Sequence, residues 1–129
     1  MTEKFEMSGD FRGAIINIKS TLTNVQQSIG SIQTNDEGTR AELMALIEQL
    51  SEALQSAPPE AAEQAEAVAQ TAEVFVEQAT VETPNKTMLQ ITGDGLKQAA
   101  QNIAAVLPSV LGIASQIILA VGKLTLPAG

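Results

Sequence analysis

Apolar residues recur at helical spacing in three separate stretches of this chain. Such spacing, alternating between three and four residues, places the apolar side chains on one face of a helix. The three sets therefore predict a mainly α-helical fold. They are Ile15, Ile18, Leu22, Val25, Ile29 and Ile32 in the first stretch, Leu43, Leu46, Ile47, Leu50 and Leu54 in the second, and Ala61, Ala65, Val68, Ala72, Phe75 and Ala79 in the third.

The N-terminal segment, residues 1–35, carries two competing patterns. Residues 5–7 and 16–18 alternate apolar and polar side chains, with glycines between them, as two short strands around a turn would. The helical seam begins within the same residues. We expect a short N-terminal β element over residues 4–18, followed by the helix that carries the seam.

Residues 36–82 predict a helical hairpin. Thr39 and Glu42 have the spacing of a capping box, so the first helix should begin at Thr39. It should end near Gln55, ahead of a proline pair, and Pro59 can occupy the first turn of the next helix. Because the third apolar set consists mostly of alanine, this second helix should pack closely and antiparallel on the first.

The hairpin is acidic. Its carboxylates are spaced along helices rich in Gln and Ala, which is typical of a solvated face, and a cation-binding or catalytic carboxylate set is the alternative. No calcium-loop spacing is present. The acids are Asp36, Glu37, Glu42, Glu48, Glu52, Glu60, Glu63, Glu66, Glu73, Glu77 and Glu82, with Arg40 as the only base among residues 36–82.

The C-terminal segment, residues 83–129, contains a long uncharged run between Lys97 and Lys123. We expect one helix from about Gly95 to Lys123, capped by Thr92 or Asp94. Pro108 should kink this helix, because proline removes a backbone donor and its ring clashes with the preceding turn.

The run of residues 103–121 is apolar on nearly every side and must be covered by lipid or by protein. Ser109, Ser115 and Gln116 interrupt it with groups that prefer a polar partner. Trp, Tyr and a Lys/Arg cluster, the usual anchors of membrane helices, are absent, and only Lys123 flanks its C-terminal end. One small chain offers little to cover such a helix. We therefore expect copies of the chain to enclose it in an oligomeric bundle, with membrane insertion as the alternative.

Composition narrows the function further. The 129 residues fit one structural domain, and the chain lacks His and Cys, the usual acid/base, metal-binding and thiol residues. We expect no enzymatic activity, no catalytic or metal site and no cofactor.

A net charge of -8 argues against a nucleic-acid partner. The first residues lack the pattern of an export signal, so a cytoplasmic location is expected, with membrane association as the alternative.

Two stretches, residues 9–22 (GDFRGAIINIKSTL) and residues 84–97 (PNKTMLQITGDGLK), resemble segments of small uncharacterised bacterial proteins, some of them encoded near multidomain signalling and conflict genes. The resemblance covers roughly a quarter of the chain. It implies a non-enzymatic module for self-assembly or partner binding, and it assigns no functional residue.

The sequence thus predicts a self-assembling structural or interaction protein, a homo-oligomer that forms a filament or ring if its N-terminal segments pair. The alternative is an effector that inserts its apolar C-terminal helix into a membrane. The expected assembly surface consists of Phe5, Phe11, Ile16, Ile18, Leu22, Val25, Ile29, Ile103, Val106, Leu107, Val110, Ile113, Ile117, Ile118 and Val121.

Overall fold

Helices make up most of the described chain. The computed structural model describes residues 2–32, 36–80 and 85–125, and the side chains of residues 13–32, 36–80 and 85–124. A turn of 3₁₀ helix at Pro59–Ala61 leads into the third helix, and no strand occurs in the described residues. The mainly α prediction is confirmed. The helices are α1 (Thr2–Gly30), α2 (Glu37–Gln55), α3 (Ala62–Thr80), α4 (Lys86–Ile103) and α5 (Pro108–Thr125).

The helices pack in a ring whose order differs from their order along the chain. Helix α1 packs between α2 and α3, α3 also packs on α4, and α5 closes the ring by packing on both α4 and α2. Helices α2 and α3 follow each other through a short connection, as a hairpin requires, but contact each other much less than they contact these neighbours. The alanine face of α3 thus serves mainly α1 and α4.

One contiguous hydrophobic core draws on all five helices. Each residue of the second and third apolar sets is buried, so the faces predicted for α2 and α3 are confirmed. The first set is buried from Ile18 to Ile29, whereas Ile15 and Ile32 at its ends are only half-buried. Helical periodicity therefore identified most of the core contributed by these helices.

The predicted N-terminal β element is wrong, because residues 4–18 belong to α1. A strand would place Ile16 and Ile18 on the same face, but the structure leaves Ile16 62% exposed and buries Ile18. Positions two apart on a helix lie on different faces. Gly13 fits within the helix without a close contact. The alternating triplets were too short to outweigh the seam of apolar residues that packs into the core.

The single long C-terminal helix is also wrong, because residues 104–107 separate α4 from α5. Pro108 occupies the first position of α5, where its missing N–H costs no intrahelical hydrogen bond. Leu107 N donates instead to Ile103 O over 2.8 Å, closing the end of α4. The proline therefore ends one helix and begins another, rather than bending one continuous helix.

Two helix starts differ from those predicted. Helix α4 begins at Lys86, well before Gly95, and Asn85 caps it by accepting from Met88 N over 3.1 Å. Thr92 is interior to α4, where its hydroxyl donates to Met88 O.

Helix α2 begins at Glu37 and is capped by Asp36, not by Thr39. The two oxygens of the Asp36 carboxylate accept from Thr39 N over 2.9 Å and from the Thr39 hydroxyl over 2.6 Å. These hydrogen bonds hold the pKa of Asp36 below its ordinary value. The predicted capping box of Thr39 and Glu42 is thus wrong, because the N-cap lies three residues earlier, at an aspartate, which is also a strong N-cap residue.

Candidate interaction surface

Most of the residues expected to form an assembly surface lie inside the folded chain. Their side chains are at most 1% exposed and belong to the core shared by the five helices. The fold brings them together, but within one copy. In the folded state they stabilise the bundle and face no solvent. They are Ile18, Leu22, Val25, Ile29, Ile103, Val110, Ile117 and Val121.

The other expected residues are scattered. Ile16 on α1 is 62% exposed and Val106, between α4 and α5, is 50% exposed. Leu107, Ile113 and Ile118 are half-buried and pack against the core. Phe5 and Phe11 lie within α1, and their side chains fall outside those described.

Helix α5 is covered by its own chain on one side. Val110, Ala114, Ile117, Ala120 and Val121 form the buried side. The face pointing away from the core, here called the α5 outer face, carries exposed or half-buried residues. It consists of Pro108, Gly112, Ser115, Gln116, Leu119, Gly122 and Lys123.

Leu119 stands at the centre of the α5 outer face and is 67% exposed, the largest value among the large apolar side chains described. The sequence reasoning missed it, because an uncharged run gives little sign of which side is covered. Ser115, Gln116 and Lys123 lie three or four positions from Leu119 and so share its side of the helix. That polar spacing was the available signal.

Two shallow grooves share Ile118 and Leu119 as walls. One groove, of about 360 Å³, lies towards α2 and is also lined by Glu42, Gln116, Gly122 and Lys123. The other, of about 370 Å³, lies towards α4 and is also lined by Leu89, Gln90, Gly93, Asp94, Lys97 and Ser115. An apolar projection therefore stands beside two cavities on one surface.

The charged residues around these grooves balance. Glu42 and Lys123 border the α2-side groove, where their charged atoms lie 3.9 Å apart. Asp94 and Lys97 line the α4-side groove. Two acids and two bases leave this surface without net charge, whereas the chain as a whole carries -8.

The acidic residues of α2 and α3 form no compact site in the described part of the chain. Most of their carboxylates are exposed, and Glu66 accepts a hydrogen bond from the Asn17 side chain over 3.1 Å. No group of three or more acids within the described residues is arranged to hold a metal ion. The acids of α2 and α3 are therefore mostly exposed to solvent, as their spacing predicted.

None of the described helices is both long and apolar enough to cross a membrane. Comparison of the chain with protein-family models, with curated proteins and with solved structures finds no match. The likeness of residues 9–22 and 84–97 to small bacterial proteins thus stays a resemblance.

Proposed function

We propose that this protein is a non-enzymatic structural or interaction protein that acts by self-association. The observation that carries the proposal is the exposure of Leu119, between two grooves, on the α5 outer face. A large apolar side chain beside apolar cavities on a polar-rimmed surface is typical of protein interaction sites.

Charge supports this choice of surface. Two copies that each carry -8 repel each other wherever their acidic helices face one another. The surface around Leu119 carries no excess of acids, because Glu42 and Asp94 are balanced by Lys97 and Lys123. Contact through this surface brings the copies together without placing an excess of acids opposite each other.

The proposal modifies the assembly expected from the sequence. Residues such as Ile18 and Ile117 act within each copy, as core, and assembly takes place between folded bundles. The two sides of α5 then have different roles. The buried side stabilises the folded chain, and the exposed side contacts a neighbouring copy.

Sedimentation velocity of the purified full chain over a range of micromolar concentrations tests the proposal. We expect the weight-average sedimentation coefficient to rise with concentration, and to rise further with added salt, which screens the repulsion between acidic copies. A concentration-independent monomer at both salt levels would contradict the proposal.

The alternative from the sequence is an effector whose C-terminal helix inserts into a membrane. Insertion of α5 would require Val110, Ile117 and Val121 to leave the core that they occupy in the bundle. Dye release from liposomes by the intact protein tests this alternative. Liposomes that retain their dye at high protein concentration would count against it. The cytoplasmic location and the lack of a nucleic-acid partner remain predictions.

A further inference from the structure

We infer that two copies of this chain associate about a twofold axis through antiparallel α5 helices, with Leu119 of each copy packed into a groove of the other. This inference rests on the proposed self-association and specifies its interface. The occupant of the grooves is a second copy of the chain.

The surface has the shape that a twofold contact needs. In such a contact the same patch serves both copies, so the patch must contain both the projection and the cavity that receives it. Leu119 is the projection, and each neighbouring groove, at about 360 or 370 Å³, is roomy enough for a leucine side chain. Both features lie on one surface, with Leu119 as a wall of each groove.

Small residues along the α5 outer face allow two helices to approach closely. Gly112 is exposed, Gly122 is half-buried, and a Cβ added at either position would meet no atom within 4 Å apart from the adjoining residues and backbone of its own helix. Ser115 lies between them. Helix pairs with small residues at the crossing point bring their backbones near enough for extensive contact.

The balanced charges favour a second copy over a strongly acidic or basic partner, because the surface has no net charge that would attract either. Under this symmetry the α2-side rim of one copy faces the same rim of the other, in reversed direction. Glu42 and Lys123, which lie 3.9 Å apart within each copy, then lie opposite the same two residues of the other copy in reversed order, so that each acid also has a base of the other copy nearby. Asp94 and Lys97 on the α4-side rim repeat the arrangement.

Substitutions on the outer face test the interface while sparing the bundle. Leu119→Asp introduces a charge at an exposed position, and Gly112→Gln places bulk where the single chain leaves open space. Each should weaken self-association ~30-fold or more, as expected for central interface residues. The matched control is Ile16→Asp, which alters a similarly exposed apolar residue on α1 and should leave association unchanged.

Because the chain has no cysteine, single cysteine substitutions report the contact directly. Gln116→Cys, on the α5 outer face, should give covalent dimers in high yield with a short thiol-specific cross-linker. Glu48→Cys, at an exposed position on α2, should not. Circular dichroism of every variant at matched concentration establishes that the helices are retained.

The outcomes separate the inference from the proposed function. A wild-type chain that stays monomeric overturns both. The α5 interface alone is overturned by a wild-type oligomer that Leu119→Asp and Gly112→Gln leave unaffected. Cross-linking of the Glu48→Cys variant without cross-linking of the Gln116→Cys variant overturns it as well. Concentration-dependent assembly that both outer-face variants weaken, together with cross-linking of the Gln116→Cys variant, supports the inference.

Discussion

The ring of Phe75 lies against the backbone of Gly93, so closely that a Cβ added to the glycine would be 3.2 Å from Phe75 Cε1. Phe75 belongs to α3 and Gly93 to α4, and both are buried. The absence of a side chain at position 93 is therefore what allows these two helices to pack at this distance. A glycine inside a helix would otherwise only weaken it.

We predict that Gly93→Val destabilises the fold by ~1 to 3 kcal/mol, because the added methyl groups must displace the Phe75 ring or push α4 away from α3. The control is Gly95→Ala, two residues along the same helix, where the new methyl group meets no atom of a neighbouring helix within 4 Å. That substitution should stabilise by ~0.5 to 1 kcal/mol through helix propensity alone. Urea unfolding of the two variants provides the comparison. Equal effects would contradict the contact.

The two sides of α5 should separate stability from association. Ile117 is fully buried and Leu119 is 67% exposed, although only one residue lies between them. Ile117→Ala should cost ~2 to 5 kcal/mol of folding free energy by leaving a cavity. Leu119→Ala should change the free energy of unfolding by less than ~0.5 kcal/mol while weakening self-association. Thermal unfolding at low concentration, where the copies are dissociated, measures the change in stability of both variants. A large loss of stability from Leu119→Ala would place that residue in the core.

Asp36 predicts a stability change at low pH. Hydrogen bonds from Thr39 lower the pKa of its carboxyl in the folded state below the ordinary value of 3.8. The ionised group therefore stabilises the fold in full above pH 3.8, and this contribution is lost as the pH falls through the folded-state pKa. The melting temperature of Asp36→Ala should lie below that of the wild type near neutral pH, and the difference should shrink in more acidic solution. A difference that grows on acidification would contradict the assignment.

The start of α4 can be tested against the start expected from sequence. Asn85 accepts from Met88 N as the cap, so Asn85→Ala should destabilise by ~1 kcal/mol. Asn85→Asp keeps an acceptor at the same position and should restore most of that loss. Asp94→Ala alters an exposed residue in the middle of the helix and should have little effect. If Asp94→Ala were instead the costly change, the helix would begin near Gly95. Because the Asn85 side chain does not titrate, Asn85→Ala also serves as the pH-independent control for Asp36→Ala.

Sequence periodicity predicted most of the buried positions of α2 and α3, because those faces alternate with polar residues, but it missed Ala69 and Val76 on α3. The same reasoning failed at residues 4–18, where a two-residue alternation coincided by chance with part of a helical pattern. It also failed to find Leu119. In an uncharged run such as residues 103–121, the buried side depends on where the neighbouring helices pack. The hydrophobic pattern of the run itself does not predict that arrangement.

The order in which the helices pack around the bundle could not be predicted from local sequence patterns either. The alanine face of α3 permits close packing with any partner, and the fold pairs it with α1 and α4 instead of the adjacent α2. Helix starts were missed where two good capping residues stood within reach, as at Asp36 and Thr39. Asp36 is the cap there because its carboxylate accepts from both the amide and the hydroxyl of Thr39.

The packing of α2 on α5 has a consequence for how the chain folds during synthesis. Helix α2 leaves the ribosome long before α5, so the side of α2 that α5 covers has no native neighbour during that interval. We expect nascent chains stalled with α5 still inside the exit tunnel to be cleaved readily by a protease of broad specificity. Chains released from the ribosome, with α5 free to fold onto α2, should resist the same protease. Early resistance would mean that the first four helices already form a stable unit.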